Sequence, residues 1–221
     1  MVRVRKLGES IQQEWDADPC RQELWNALQL FDNAPHAAIA ALTGLAAQGS
    51  GLAMMYLGEA YLKGRGGIES DRMLGEQWLV RSAEHGSIEG RYGLAIHYEG
   101  SGRPESARNE LTKLADRGYS PAMFRLGYGF YKGKWGGKDI AQAQHFLGMA
   151  QRAGHLPGAI WLNRIDIVES LGLARKVSGI WGWLKLAPLV FRYVSNYPTS
   201  DRLRTESAEL ADLIKDWSEG E

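Results

Sequence analysis

The chain contains a single cysteine, Cys20, among its 221 residues. One cysteine forms no internal disulfide, which is typical of a protein that works in a reducing compartment. The stretch from Met1 to Trp15 carries charges and no apolar core region, so it does not have the pattern of a secretory signal. We therefore expect a cytoplasmic location.

The sequence also lacks an excess of charge of either sign. Its 26 Lys and Arg residues balance 26 Asp and Glu residues, and the formal net charge is zero. Bulk charge therefore gives no reason to expect binding to nucleic acid or to an anionic membrane. We expect no nucleic-acid partner.

Patterns for metal ions, cofactors and catalysis are missing as well. The 5 histidines form no i, i+4 pair and no H-E-x-x-H motif, and no G-x-S-x-G elbow frames a nucleophile. The loop from Gly133 to Asp139 is glycine-rich, but Lys132 stands where a phosphate loop has its first glycine, and a helix is expected before it. The sequence therefore predicts a non-enzymatic protein without metal or cofactor.

A long apolar run near the C-terminus, Val177 to Pro198, contains Lys185, Pro188 and Arg192. A bilayer span needs about 20 predominantly apolar residues, so these interruptions argue against a transmembrane helix. Three interpretations stay open for this run. It is a buried capping helix, an amphipathic anchor that makes peripheral membrane contact through Ile180 to Val194, or an exposed docking patch.

What the sequence does contain is an internal repeat. The pattern from Ala53 to Gly86 occurs again from Ala122 to Gly154, and a shorter copy lies between them. The matching pairs are Ala53 and Ala122, Leu57 and Leu126, Gly58 and Gly127, Tyr61 and Phe130, Gly75 and Ala143, and Trp78 and Phe146. Self-similarity at a fixed spacing indicates a repeat architecture.

The spacing within each copy predicts helices. Alanine, leucine and tyrosine at steps of three and four lie on one stripe of an α-helix, which indicates amphipathic helices of about 12 residues. The small residue after each leucine lets a neighbouring helix approach closely, and the glycine after each second helix can adopt the left-handed conformation. One helix hairpin cannot bury its apolar stripe alone, so we expect the hairpins to stack into an all-α array.

The residue order A-x-x-x-L-G-x-x-Y-x-x-G, followed by a glycine-rich loop ending in aspartate, resembles the Sel1-like repeat, a relative of the tetratricopeptide repeat. Asp71 and Asp139 stand where that family has its loop aspartate. The resemblance covers Ala38 to Asp166, although the middle copy has a shorter loop, Arg103 to Ala107, without an aspartate. It implies a right-handed α-solenoid of antiparallel helix hairpins, with capping helices at the N- and C-terminal ends.

Three segments follow from this assignment, within a single domain. Residues 1–35 are predicted to be an N-terminal helical cap, since Ile11 to Trp15 and Leu24 to Phe31 each suggest a helix. Residues 36–168 form the repeat solenoid. Residues 169–221 hold the apolar run and a C-terminal capping helix, and the oligomeric state stays open.

The resemblance also implies a class of function. Sel1-like proteins are usually adaptors that bind other proteins, and their bacterial members include regulatory, secretion-linked and toxin-immunity proteins. We therefore expect a protein–protein interaction scaffold with an unidentified protein or peptide as its partner. The alternative is a small-ligand-binding protein, or an enzyme of unrecognised type, that uses the same groove.

The candidate contact residues come from the first helix of each hairpin, which lines the concave side in related repeats. Positions two before and two after the leucine–small pair, and the row one turn further on, are expected to point inward. In the last copy the earlier position is Ile160. The predicted partner-binding residues are Met55, Glu59, Tyr92, Ile96, Phe124, Tyr128, Tyr131 and Arg164. The other interpretation is that some of them pack against adjacent helices.

Overall fold

The structure is a computed structural model that describes residues 9–169. Over this range the chain consists of α-helices, short 3-10 turns and loops, with no strand. None of the helices within residues 9–169 has both the length and the apolar character that crossing a membrane requires. The apolar run 177–198, including Ile180 to Val194, and the predicted C-terminal capping helix lie outside the described residues.

The chain divides into two compact units after Arg117. The N-terminal unit contains α1 (Glu9–Ala17), α2 (Arg21–Gln29), α3 (Pro35–Ala47), α4 (Gly51–Lys63), α5 (Arg72–Glu84), α6 (Ile88–Gly100) and α7 (Pro104–Asp116). The C-terminal unit contains α8 (Ser120–Lys132), α9 (Ile140–Arg152) and α10 (Leu156–Glu169). The domain limits 1–35, 36–168 and 169–221 stay predictions.

The leucines of the repeated pattern form the core of each unit. They lie at helical spacing on the inward stripe, and burying one contributes about 1.5–3 kcal/mol. Each second helix is followed by a glycine in the left-handed region, as the sequence predicts: φ is +87° at Gly86 and +78° at Gly154. The buried leucines include Leu57, Leu79, Leu94, Leu111, Leu114, Leu126 and Leu147.

The small residues of the pattern bring the two helices of a hairpin together. A Cβ atom at Gly58 would lie 2.7 Å from Cγ of Leu79 and 3.0 Å from a backbone oxygen of α5. A Cβ atom at Gly127 would lie 2.7 Å from Cγ of Leu147 and 3.0 Å from a backbone oxygen of α9. The same close contact therefore recurs in both units, which confirms that α4–α5 and α8–α9 are copies of one hairpin.

The loop aspartates begin the second helix of each of these hairpins. The carboxylates of Asp71 and Asp139 each accept a hydrogen bond from the backbone N–H three residues later, at 2.9 Å. Their own N–H groups donate to the carbonyl oxygens of Tyr61 (2.9 Å) and Phe130 (3.0 Å) in the preceding helix. The glycine-rich loops are therefore turns closed by N-caps.

The middle hairpin, α6–α7, is connected differently. Arg103 stands at the N-cap of α7 and makes no capping bond. Its guanidinium donates instead to both carboxylate oxygens of Glu76 on α5, at 2.8 and 2.6 Å, and lies 4.4 Å from the ring centroid of Tyr98. His97 Nε2 lies 3.0 Å from the same carboxylate. The shortened loop thus supplies an ion pair between successive hairpins where the other copies have an aspartate cap.

Two helices precede the repeats, as the sequence predicts, and the first of them contacts α6. The Glu14 carboxylate accepts hydrogen bonds from the Ser87 hydroxyl and from the backbone N–H groups of the next two residues, both at 3.1 Å. Trp15 packs edge-on against Tyr56 of α4, with ring centroids 6.4 Å apart. An acidic side chain at the N-terminal end of α6 also interacts favourably with the helix dipole.

The close contact at Gly58 predicts that adding a single methyl group there destabilises the protein. We expect Gly58→Ala to lower the free energy of unfolding by about 1–3 kcal/mol, because the new methyl group meets Leu79 and a backbone oxygen. Gly44 of α3 has nothing within 4 Å of a Cβ position, so Gly44→Ala should raise stability by about 0.5–1 kcal/mol through helix propensity. Urea denaturation measures both. Equal effects in the two variants would contradict the packing explanation.

The Glu76–Arg103 pair predicts a dependence of stability on pH. Hydrogen bonds from Arg103, and a weaker contribution from His97, hold the pKa of Glu76 below its ordinary value. The stabilisation is therefore present above the unfolded-state pKa and is lost as the pH falls through the folded-state pKa. We expect Arg103→Gln to reduce the loss of stability on acidification. Lys63→Gln, which removes an exposed ion pair with Glu59, is the control, and equal pH profiles for wild type and Arg103→Gln would refute the assignment.

Candidate functional site

Aromatic rings from α8 and α10 are in contact in the C-terminal unit. Phe124, Tyr128 and Tyr131 follow one another at helical spacing along one face of α8. Phe124 stacks on Tyr128 with centroids 6.0 Å apart, and Trp161 of α10 lies 4.9 Å from Tyr128 and 5.6 Å from Tyr131. These four residues form one continuous group, named here the aromatic cluster.

The four residues of the aromatic cluster differ in their exposure to solvent. Phe124 is 2% exposed and Trp161 is 1% exposed, so both are buried. Tyr128 and Tyr131 are half-buried and reach the surface. The cluster therefore presents two tyrosines on a support of packed rings.

Four basic side chains lie over these rings. A cation near the face of an aromatic ring is attracted by the ring quadrupole, and the contact also fixes the direction of a long side chain. Three of the four come from the end of α8 and the loop that follows it, and the fourth comes from α10. The distances to the ring centroids are 5.6 Å for Lys132 over Trp161, 5.4 Å for Lys134 over Tyr128, 4.7 Å for Lys138 over Tyr131 and 4.9 Å for Arg164 over Trp161.

The α8–α9 loop that carries two of these lysines is anchored by Trp135. Its indole packs against Gly129, where any side chain would collide with it. Its Nε1–H donates to the carbonyl oxygen of Leu126 at 3.2 Å. Gly133, with φ +74°, ends α8 and turns the chain into the loop. The loop therefore has a defined conformation beside the aromatic cluster.

Two nitrogen atoms at the cluster, Trp161 Nε1 and Arg164 Nη1, are buried and have no hydrogen-bond acceptor within residues 9–169. Leaving a buried donor unsatisfied costs about 1–3 kcal/mol, and more for a charged group. Arg164 is nevertheless partly exposed as a side chain. The site thus combines packed aromatic rings with an arginine that has one buried nitrogen, Nη1, without an acceptor in the described range.

The carboxylates of α10 are engaged elsewhere. Glu169 accepts from Lys138 Nζ at 2.5 Å, and this hydrogen bond raises the pKa of the lysine. Asp166 accepts from the side-chain amide of Gln144 at 2.9 Å. Within residues 9–169, Arg164 therefore has no carboxylate partner.

The structure places the predicted contact residues unequally. Phe124 and Met55 (7% exposed) are buried, so the expectation that they supply an accessible surface is corrected: they belong to the core. In the N-terminal unit Tyr92 and Ile96 are half-buried on α6, and Glu59 accepts from Lys63 at 3.0 Å. The structure brings the remaining candidates, Tyr128, Tyr131 and Arg164, into one cluster.

Sequence reasoning missed Trp161 and the lysines at the aromatic cluster. The pattern pointed to Ile160, which is buried, whereas the neighbouring Trp161 contacts the tyrosines. The register of a helix is uncertain by about one residue from sequence alone, and that uncertainty separates the two positions. The lysines carried a usable signal, because three of them surround the glycine-rich loop after α8.

A model of the Sel1 repeat family matches residues 51–87 and 120–155. These segments are the hairpins α4–α5 and α8–α9, which share the glycine contact and the aspartate N-cap. The chain therefore contains two Sel1 repeats. The matched segments leave out α6–α7, the hairpin with the shortened loop.

Solved structures support the fold of the chain. A Sel1 repeat protein from Oxalobacter formigenes is 19% identical, with a TM-score of 0.61 over 75% of this chain and 68% of that one. A protective antigen of uropathogenic Escherichia coli with an SLR fold is 22% identical, with a TM-score of 0.58 over 86% of this chain and 46% of that one. These likenesses confirm the predicted fold class, an all-α solenoid of helix hairpins, and the chain spans under half of the antigen.

An immunity protein from Pseudomonas aeruginosa is 17% identical, over 83% of this chain and 84% of that one. Its TM-score is 0.39, which is too low to bear on the fold or the function.

The burial of each side chain predicts how far its substitution lowers the free energy of unfolding. We expect Trp161→Ala to lower the free energy of unfolding by about 3–5 kcal/mol, since it empties a fully buried aromatic site. Lys138→Gln removes a partly exposed ion pair with Glu169 and should cost less than about 1 kcal/mol. Chemical denaturation of both variants measures the difference. Similar losses of stability in both variants would contradict the conclusion that Trp161 is part of the core and Lys138 is not.

Proposed function

We propose that this protein is a non-enzymatic scaffold that binds a segment of another protein on the face formed by α8 and α10. The face consists of Tyr128, Tyr131, Lys138 and Arg164, and is named here the α8–α10 face. The observation that carries the proposal is the pair of half-buried tyrosines held on buried rings and bordered by cations. Sel1 repeats are commonly protein-interaction scaffolds, which agrees with this assignment.

Pre-organisation supports the proposal. Trp161 contacts both tyrosines, and Phe124 stacks under Tyr128, so the rings are already held in place before any partner arrives. Binding then loses little side-chain entropy, which otherwise offsets about 0.5–1.5 kcal/mol for each side chain that becomes ordered. Tyrosine, tryptophan and arginine are also the residues that most often dominate binding energy at interfaces.

The finer expectations belong to the same proposal. Glu59, Tyr92 and Ile96 stay predicted contacts in the N-terminal unit, with Met55 beneath the surface. A role in bacterial regulation, secretion or toxin immunity follows from the family resemblance alone, whereas the cytoplasmic location is the expectation from the single cysteine. The partner is a protein or peptide whose identity these residues do not specify.

A peptide selection tests the proposal without knowledge of the natural partner. The full-length chain is immobilised and challenged with a displayed library of random peptides, and the affinities of the selected peptides are measured by fluorescence anisotropy. We expect Tyr131→Ala to weaken their binding by about tenfold or more, which is about 1.4 kcal/mol or more of binding energy.

The matched control is His145→Ala, which removes an exposed ring from α9 in the same unit. Circular dichroism and thermal melting verify that both variants stay folded. The proposal fails if the selected peptides bind Tyr131→Ala and wild type equally, or if no peptide is enriched.

A further inference from the structure

We propose that α1 is a releasable strap across α4 and the N-terminal end of α6, and that an acidic helical segment of another protein, carrying a tryptophan, replaces it there. This second binding site lies within the N-terminal unit and is independent of the α8–α10 face. It is supported by the carboxylate contacts of the strap, by the serines that receive them and by the small buried area that holds the strap in place.

Two carboxylates of the strap meet the N-terminal ends of α4 and α6 in the same way. The Ser50 hydroxyl caps α4 by accepting from the backbone N–H three residues later at 3.0 Å, and it donates to Asp18, directly after α1, at 2.7 Å. The Ser87 hydroxyl caps α6 by accepting from the N–H three residues later at 2.9 Å, and it donates to Glu14 of α1. Glu14 and Asp18 are about one helical turn apart, so the strap spans both helix ends.

The serines that receive these carboxylates occur only before the two helices that the strap meets. In each copy of the repeat within residues 9–169, the position follows a glycine with φ in the left-handed region. It is Ser50 before α4 and Ser87 before α6, but Tyr119 before α8 and His155 before α10. The serine contact is therefore specific to the place where the strap lies and is not a general feature of the repeat.

The strap is held by little buried surface. Within residues 12–17 only Trp15 is buried, and its ring meets Trp25 and Tyr56 edge-on, with centroids 6.5 and 6.4 Å apart. An isolated helix of 9 residues is unstable in water, and a segment with few buried apolar contacts opens at a lower free energy than the whole fold. The strap therefore opens while the hairpins stay folded, which exposes the ring of Tyr56 and the capping serines.

The chemistry of the strap defines the segment that replaces it. The Glu14 carboxylate accepts from the Ser87 hydroxyl and from two backbone N–H groups of α6, which are charge-assisted contacts at the positive end of a helix dipole. Trp15 follows Glu14 directly, and the carboxylate of Asp18 comes one turn later. A matching segment is therefore an acidic helix with a tryptophan, whereas a basic helix meets the positive ends of two helix dipoles.

Hydrogen–deuterium exchange of the full-length protein tests whether the strap opens independently. We expect residues 9–17 to exchange at least about tenfold faster than residues 52–60 of α4, and Glu14→Gln to accelerate α1 about tenfold further while α4 is unchanged. Asp16→Asn is the control, because it removes an exposed carboxylate of the same helix that pairs only with Arg21 of α2 among the described cations. Equal exchange in α1 and α4, or equal acceleration of both in Glu14→Gln, would overturn the proposal.

A fluorescein-labelled peptide with the sequence of residues 8–19 tests the occupant by fluorescence anisotropy. In the wild-type chain it competes with a tethered strap whose effective concentration is about millimolar. We therefore expect it to bind the Glu14→Gln chain about tenfold more tightly than the wild type. The same peptide with Glu14→Gln should bind the Glu14→Gln chain about tenfold more weakly than the unchanged peptide does.

Three results would contradict the proposed occupant. They are equal affinity of the unchanged peptide for wild type and the Glu14→Gln chain, equal affinity of the two peptides for the Glu14→Gln chain, and dimerisation of that chain by exchange of α1 between copies. Thermal melting verifies the fold of each variant, and analytical ultracentrifugation measures its oligomeric state. None of these results bears on the α8–α10 face, which is tested by Tyr131→Ala.

Discussion

The close approach of paired helices across a residue without a side chain is the constraint on which the structure depends. Gly58 and Gly127 have no room for a Cβ atom, and each sits against a leucine of the partner helix. This contact sets the spacing within a hairpin and lets the repeated leucines interdigitate. Since burial of an apolar stripe provides most of the stability of a short helix, a pair of helices held apart at this position would lose the packing that maintains both.

From this contact follows the position of the α8–α10 face. With α9 packed against α8 through Gly127, and α10 packed against α9 through Gly158, the ring of Trp161 reaches Tyr128 and Tyr131 on α8. The loop between α8 and α9 then carries its lysines to the same rings, anchored by Trp135. The close packing of helices at small residues thus determines where the aromatic and basic side chains lie, although those side chains are not part of the glycine contacts.

The repeat, the helices and the turns were predictable from sequence because each has a local physical cause. Spacing at three and four residues predicts a buried stripe, an aspartate before a helix predicts an N-cap, and a glycine after a helix predicts a left-handed end. The site was predicted only in part. Tyr128, Tyr131 and Arg164 all contact Trp161. Met55 and Phe124 lie in the core instead, because helix periodicity does not distinguish a residue facing a groove from one facing a neighbouring helix. Trp161 was missed by one residue of register, and its contacts join helices that are distant along the chain.

The central claim is that the α8–α10 face is where a partner binds. Hydrogen–deuterium exchange of the full-length protein, free and saturated with a selected peptide, tests it directly because the measurement locates the contact without altering any side chain. The account predicts slower exchange along residues 124–138 and 158–166 in the complex, with α5 and α7 unchanged. Slower exchange confined to α5, α7 or the exposed side of α9, with residues 124–138 unaffected, would contradict it.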